Sequence, residues 1–135
     1  MASPAPTDPR ELLALMPFAG LVGVELTKVE PGEVTGRLAW SAERCTAAGV
    51  MHGGALMTLA DSLGGVCAYV NLPPGARTTT IESKTNFFRG VYAGDVTAVA
   101  RPLHVGRTVI VVQTDLRDDT GHHVAQVTQT QAVMR

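Results

Sequence analysis

The chain has 135 residues and a formal net charge of −1, with 45% hydrophobic and 17% charged residues. This length fits one domain, and the apolar fraction is high enough to form a core, which excludes a wholly disordered chain. The near-neutral charge lacks the basic excess of a nucleic-acid-binding protein, so we expect no nucleic-acid partner. Few charged residues are available to cover the surface, which indicates self-association.

The N-terminal residues 1–10 contain three prolines and no apolar run, and they are predicted to be a disordered tail that carries no secretory signal. A single domain is predicted to follow over residues 11–135. Cys45 and Cys67 have neither metal-ligand spacing nor a disulfide framework, which favours the reducing cytoplasm and predicts no metal site. The most apolar segment, 55–72, contains Asp61 and many small residues, whereas a membrane span needs about 20 strongly apolar ones, so no membrane association is expected.

Hydrophobic periodicity predicts one long helix and six strands. A short helix over 11–16 ends at Pro17, and Pro31-Gly32 joins two alternating segments into a hairpin. The long helix over 55–72 is apolar on nearly every side, which predicts that it is buried all round. The predicted strands cover 21–30, 33–40, 78–88, 95–101, 108–117 and 123–134, with a loop over 102–107. This order predicts an α+β fold in which the last four strands form antiparallel meanders and a curved sheet wraps the helix.

Asp61 is the one acidic residue of the predicted long helix and lies about two turns inside it. A buried carboxylate is costly unless it is paired or functional, and the residues three or four positions away, Met57, Thr58, Gly64 and Gly65, are mostly small. The two glycines each cost about 1 kcal/mol in a helix, which indicates close approach of a backbone or ligand. Two interpretations stay open: a functional carboxylate that faces open space, or an Asp hydrogen-bonded to a neighbouring strand or a partner copy.

His52, Gly53 and Gly54 precede the apolar part of this helix. The first N–H groups of a helix have no partner within the helix and carry positive potential, so they can bind an oxyanion. A plain tight turn explains the two glycines equally well. His52 is able to orient a substrate, although a lone loop histidine is more commonly structural.

The string HGGALxxLAD at residues 52–61 resembles the signature of the hotdog-fold acyl-CoA thioesterases, specifically the phenylacetate-pathway-type (PaaI-like) branch. The resemblance extends from about residue 20 to residue 134. It includes TIE, NFFR, GD and VGRT in the second half of the chain, and the final segment GHHVAQVTQT. It implies a hotdog fold and hydrolysis of an acyl-CoA thioester to a free acid and coenzyme A, which is part of the substrate and not a cofactor. It also implies a homodimer or a dimer-of-dimers tetramer in which the protomers join their sheets and form the sites at their interface.

The resemblance implies a role for four residues of this chain. Asp61 is the catalytic carboxylate, either as nucleophile or as general base on water. The backbone N–H of Gly53 polarises the thioester carbonyl, and His52 positions the substrate. A hydroxyl from the strand after the helix, that of Thr80 or else Thr79, approaches the carboxylate from the partner subunit.

The resemblance also places two loops beside the phosphates of coenzyme A. Arg89 lies in one loop and Arg107 in the other, with His104 and Gly106 nearby. Each arginine taken singly is equally well explained as a solvated surface residue. This chain has Thr46 where family members often carry Asn or Gln six residues before the histidine.

Two other functions are compatible with the same fold. Acyl-CoA hydratases and dehydratases set the catalytic Asp and His close together where the chain enters the helix, whereas here Asp61 is nine residues beyond His52, which disfavours that activity. A non-catalytic acyl-CoA-binding hotdog module is the alternative from another class. An acidic residue in an otherwise acid-free helix argues against it.

Overall fold

Two short helices precede the first strand in the computed structural model, which describes residues 6–135. The long helix crosses from the second strand to the third. The elements are α1 (Pro9–Ala14), α2 (Pro17–Val22), β1 (Glu25–Glu30), β2 (Glu33–Ala39), α3 (Gly53–Tyr69), β3 (Arg77–Phe87), β4 (Asp95–Val105), β5 (Val109–Arg117) and β6 (His123–Met134).

The strands form one antiparallel sheet in the order β1-β2-β4-β5-β6-β3. The hairpin predicted at Pro31-Gly32 joins β1 to β2, and β4, β5 and β6 form a meander. The prediction that β3 belongs to the same meander is wrong: β3 pairs with β6, because α3 carries the chain across the sheet before β3 begins. The α+β class, with one long helix packed against a curved sheet, is as predicted, and β1 and β3 are the two edge strands.

The N-terminal elements differ from the prediction. Helix α1 begins at Pro9, and the side chain of Asp8 caps it, so the end of the predicted disordered tail is ordered; residues 1–5 of that tail lie outside the described residues. Pro17 starts α2 as well as following α1, because proline at the first helical position has a suitable φ and needs no N–H there. Helix α2 ends at Gly23, whose φ is 103°, and the strand predicted from residue 21 begins only at Glu25.

Strand β4 is longer than predicted, because it continues to Val105 through the expected loop. Past Ala100, β4 pairs only with β5 in the described chain, and its register shifts between Pro102 and His104. A proline is tolerated at such an irregular, single-sided position because it has no N–H to donate to a second neighbour.

The core lies between α3 and the sheet. Leu59, Leu63 and Cys67 are fully buried on the sheet side of α3. The other side of α3 is open: Met57 is 42% exposed and Asp61 is exposed as well. The prediction of a helix buried all round is therefore wrong for the single chain. Among residues 6–135, no helix combines the length and the apolar character that crossing a membrane requires.

Candidate active site

Asp61 lies on the open side of α3, beside β3 and β6. Its Oδ1 accepts a hydrogen bond from Gln129 Nε2 at 3.1 Å and a longer one from Thr80 Oγ1 at 3.5 Å. Its Oδ2 has no hydrogen-bond partner within residues 6–135. One carboxylate oxygen is thus held by the protein, and the other is left without a partner in the described part of the chain.

Thr80 contacts Asp61 of its own chain, whereas the resemblance implied that Thr80 approaches from a partner subunit. The reason is the path of the chain: β3 is an edge strand and runs back along the open side of α3. Thr80 Oγ1 also accepts a hydrogen bond from Gln131 Nε2 at 2.7 Å.

Gln129 and Gln131 are functional candidates that the sequence analysis did not single out. Their exposed fractions are 0% and 1%, so both side chains are in the interior beside Asp61. The sequence VTQTQ could have indicated that both glutamines are buried, since alternation along a strand places them on the core-facing side with Val127. Two amides at core positions of a strand indicate a buried polar network.

The paired glycines of α3 have different surroundings. A Cβ on Gly64 would overlap the side-chain amide of Gln129, so the close approach predicted there is made by a side chain and not by a backbone or a ligand. A Cβ on Gly65 would meet nothing within 4 Å. Gly64 therefore makes room for the residue that holds Asp61, and Gly65 borders open space.

The N-terminus of α3 carries the two other predicted groups, the backbone N–H of Gly53 and the side chain of His52. His52 is the N-cap, and its Nδ1 accepts a hydrogen bond from the Gly54 N–H at 2.7 Å, which leaves Nε2 as its free ring nitrogen. The N–H of Gly53 has no hydrogen-bond partner within residues 6–135. The ring of Phe87 lies against Gly53. An unpaired N–H at a helix N-terminus is the kind of donor that stabilises an oxyanion.

Asp61 and Gly53 of one chain are too far apart to act on one thioester. They are eight residues apart on α3, which corresponds to about 12 Å along the helix axis at 1.5 Å per residue. A nucleophile and the carbonyl that it attacks must approach to about 3–3.5 Å. A single protomer therefore carries both groups but does not bring them together.

A cleft of about 510 Å³ opens beside Asp61. Its walls come from the junction of α1 and α2, from α3 and from the start of β3. It is lined by Met16, Pro17, Phe18, Ala19, Thr58, Asp61, Ser62, Gly65, Thr78, Thr79, Thr80 and Gln131. A further apolar cleft of about 290 Å³ shares Met16, Gly65 and Thr78 with it and extends to Leu12 and Tyr69. The space beside Asp61 therefore continues along α3 towards its C-terminus.

The predicted coenzyme A residues fall into two groups at opposite ends of the sheet. Arg89 is at one end of β6, where its N–H donates to the carbonyl of Val124. Arg107 is at the other end, where the N–H of Val133 donates to the carbonyl of the adjoining Thr108. The strand between these points is about 30 Å long at about 3.3 Å per residue. His104 and Gly106 are at the Arg107 end, where a Cβ on Gly106 would meet the His104 ring. One protomer thus does not bring the two arginines to one phosphate group.

The cysteine in α3 is remote from this chemistry. Burial raises the pKa of the Cys67 thiol to about 11, so it stays protonated at neutral pH and is not available as a nucleophile. Cys45 is half-buried, and both thiols are free.

The long helix packed against a curved, six-stranded antiparallel sheet is the hotdog fold that the resemblance implied. Residues 48–125, more than half of the chain, match the model of the thioesterase superfamily. The chain belongs to this superfamily, which confirms the predicted family and enzyme class; the PaaI-like branch remains a prediction.

Individual relatives agree with this class. The crystal structure of a mutant thioesterase from Pseudomonas aeruginosa superposes with a TM-score of 0.90 at 29% identity, covering 97% of this chain and 96% of that one. A 1,4-dihydroxy-2-naphthoyl-CoA hydrolase of Escherichia coli is 31% identical over 64% of this chain and 63% of its own length. The crystal structure of a hypothetical thioesterase from Streptococcus pneumoniae contains coenzyme A; it is 25% identical, with a TM-score of 0.75, and covers 83% of this chain and 86% of that one.

Proposed function

We propose that the protein hydrolyses acyl-CoA thioesters as a dimer, with Asp61 as the reacting carboxylate. The observation that carries the proposal is the state of Asp61: Oδ1 is fixed by Gln129 and Thr80, while Oδ2 is free beside a cleft of about 510 Å³. The cleft accommodates the acyl group. The unpaired N–H of Gly53 at the start of α3 supplies the oxyanion donor.

A two-fold dimer provides the contact that one chain lacks. If two copies of α3 run antiparallel, Gly53 of one protomer lies beside Asp61 of its partner, and two equivalent sites result. The two-fold axis then passes near Met57, which lies midway between Gly53 and Asp61. Met57 is apolar and 42% exposed, as expected of a side chain that a partner covers.

The edge strand β3 provides the second contact of this dimer. Thr80 of β3 lies level with Asp61 and Phe87 lies level with Gly53, so the same axis crosses β3 near Ser83. β3 has eleven residues with an exposed free edge, and antiparallel pairing with its copy would satisfy its open N–H and C=O groups. The two sheets would join into one.

A cysteine at the axis tests this arrangement. Antiparallel neighbours have Cα atoms about 4.5–5.5 Å apart, within the range of a disulfide, so S83C is expected to form an intermolecular disulfide on mild oxidation. K28C, on the opposite edge strand β1, is the matched control and is expected to remain unlinked. Equal cross-linking of the two variants would contradict the proposed pairing.

The dimer also gives the two groups of coenzyme A residues a common location. Antiparallel pairing of β3 brings Arg89 of one protomer to the end of the sheet where the partner carries Arg107, His104 and Gly106. We assign both arginines to the phosphates of the substrate. R89Q and R107Q are each expected to raise KM for an acyl-CoA about tenfold, while KM for the same acyl group on N-acetylcysteamine, which lacks phosphates, stays unchanged. Equal effects on both substrates would place the arginines outside the nucleotide site.

The activity is tested by release of free thiol from short-chain, long-chain and aryl acyl-CoAs. D61N is expected to bind acyl-CoA and to lose most of its turnover, by about a hundredfold or more, because the amide neither attacks nor accepts a proton. Full turnover in D61N would refute the assignment of Asp61. Binding without turnover across all three substrate classes would instead support the acyl-CoA-binding module.

Two chemical routes are open to Oδ2 of Asp61. It attacks the thioester carbon and expels the thiolate, which gives an anhydride that water then hydrolyses, or it takes a proton from the water that attacks. A single turnover in ¹⁸O-labelled water tests for the first route: ¹⁸O in Asp61 requires an anhydride whose aspartyl carbon is attacked by water, whereas the second route places ¹⁸O only in the released acid. We place this activity in the cytoplasm, where Cys45 and Cys67 stay reduced.

A further inference from the structure

The polar side chains behind Asp61 form one connected chain of hydrogen bonds. Thr78 Oγ1 donates to Gln131 Oε1 at 3.1 Å, and Gln131 Nε2 donates to Thr80 Oγ1 at 2.7 Å. Thr80 Oγ1 then donates to Asp61 Oδ1 at 3.5 Å, and Gln129 Nε2 donates to the same oxygen at 3.1 Å. The network therefore connects β3 and β6 to one oxygen of the carboxylate.

The direction of each hydrogen bond follows from the chemistry of the groups. An amide nitrogen only donates, so the Thr80 oxygen accepts from Gln131 and keeps its own proton for Asp61. A carboxylate only accepts, so Gln129 presents its NH₂ group and not its oxygen. Thr80 and Gln129 thus donate directly to Asp61 Oδ1. Thr78 and Gln131 lie behind Thr80 and orient its hydroxyl group.

Gln129 is an expensive residue at this position. It is fully buried, and its Oε1 has no hydrogen-bond partner within the part of the chain that the structure describes. A buried acceptor without a partner destabilises the folded state, and an apolar side chain of the same length would avoid that cost. Gly64 in the facing helix is needed to accommodate the amide. A polar group that lowers stability beside a reactive carboxylate points to function and not to packing.

We propose that Gln129 and Gln131 are positioning residues, which fix Oδ1 of Asp61 so that Oδ2 points into the cleft. This inference rests on the proposed function of Asp61. Gln129 acts directly on the carboxylate, and Gln131 acts through the hydroxyl of Thr80. Because a carboxylate on an exposed helix face otherwise rotates freely, its fixation raises the fraction of time in which Oδ2 is aligned for reaction.

Q129M tests the direct contact. It keeps the length of the side chain, removes the donor to Asp61 and removes the unpaired buried oxygen. We expect kcat to fall about ten- to a hundredfold with KM within about twofold of wild type, while the melting temperature stays the same or rises. A merely structural role would move stability and activity in the same direction. Q113M, the same change on β5, is the control and is expected to leave kcat unchanged.

The contact through Thr80 is tested by reversing its polarity. Q131E keeps the size of the side chain, but its carboxylate accepts from Thr80 and turns that proton away from Asp61. We expect kcat to fall about tenfold at unchanged KM. T80V is expected to show the same loss, and T80S, which keeps the hydroxyl, is expected to retain most of the activity. Unchanged kcat in Q131E and T80V would overturn the role of Gln131.

Measurement of D61N beside these variants separates the two proposals. An active D61N would overturn both the function of Asp61 and its positioning. An inactive D61N together with a Q129M enzyme whose kcat is within about twofold of wild type would overturn the positioning alone. If positioning acts through Asp61, the double variant D61N/Q129M loses no more turnover than D61N does.

Discussion

The two adjacent glycines of α3 differ in what surrounds them. Gly64 and Gly65 belong to the same helix, so replacement of either by alanine gains the same intrinsic helix stability, about 1 kcal/mol. Their surroundings differ: a Cβ at Gly64 overlaps the amide of Gln129, and a Cβ at Gly65 meets nothing within 4 Å. The pair therefore serves as an internally matched experiment.

G64A is expected to destabilise the protein. Overpacking of a tight interior contact costs about 1–3 kcal/mol, and displacement of the Gln129 amide from its hydrogen bond to Asp61 costs about 1–3 kcal/mol more. After subtraction of the helix gain of about 1 kcal/mol, the net loss is about 1–5 kcal/mol, centred on about 3 kcal/mol, whereas G65A is expected to gain up to about 1 kcal/mol. The two variants should differ in melting temperature by about 10 °C or more.

Urea unfolding followed by circular dichroism measures both variants at the same protein concentration, since dimerisation makes stability depend on concentration. G64A is also expected to lose kcat, because the displaced Gln129 no longer holds Asp61. Equal stability of G64A and G65A would refute the reasoning, since it would mean that the space beside Gly64 is not filled by Gln129.

Three further predictions concern other parts of the molecule. Cys67, with a pKa of about 11, carries the thiolate in about one molecule in a thousand at pH 8. Iodoacetamide is therefore expected to label Cys45 and to reach Cys67 only after unfolding. Mass spectrometry that finds both cysteines labelled in the folded protein would contradict the burial of Cys67. G65L fills the passage between the cleft beside Asp61 and the cleft that extends along α3. Turnover of long-chain acyl-CoAs should therefore fall by about tenfold or more relative to acetyl-CoA. An unchanged dependence of turnover on chain length would place the acyl group elsewhere. Hydrogen bonds from the Thr120 hydroxyl and from the backbone hold the pKa of Asp118 below its usual value, so its carboxylate stabilises the fold above about pH 4 and this contribution is lost as the pH falls through the lowered pKa. In urea titrations, D118N should therefore lose less of its free energy of unfolding than wild type does between pH 6 and pH 3. Equal losses in the two proteins would contradict the assignment.

Much of the fold follows from local patterns in the sequence. The alternating segments predict the strands, the Pro31-Gly32 turn predicts the first hairpin, and the apolar segment after Gly53 predicts the long helix. These features depend on residues close together in the chain, so periodicity and turn chemistry are enough to find them. Two errors in the element boundaries occur where a proline has two possible roles: Pro17 begins a helix, and Pro102 lies inside a strand.

The candidate site was predictable only in part. The motif at residues 52–61 predicts Asp61 and the helix N-terminus as parts of the site, because both belong to one helix. Gln129 was not identified, since its contact with Asp61 joins residues 68 positions apart. Local patterns in the sequence also do not reveal that Arg89 and Arg107 lie at opposite ends of the sheet, because their separation depends on the path of the folded chain.

Local patterns and the motif at residues 52–61 were enough to predict a charge-poor α+β fold of the thioesterase superfamily with one carboxylate in its long helix. The folded chain was needed to show that this carboxylate is exposed, that Gln129 and the Thr80 of the same chain hold one of its oxygens, and that β3 is an edge strand. Periodicity specifies which residues of a strand or helix share a face, whereas the pairing of β3 with β6 instead of β4 depends on where α3 delivers the chain.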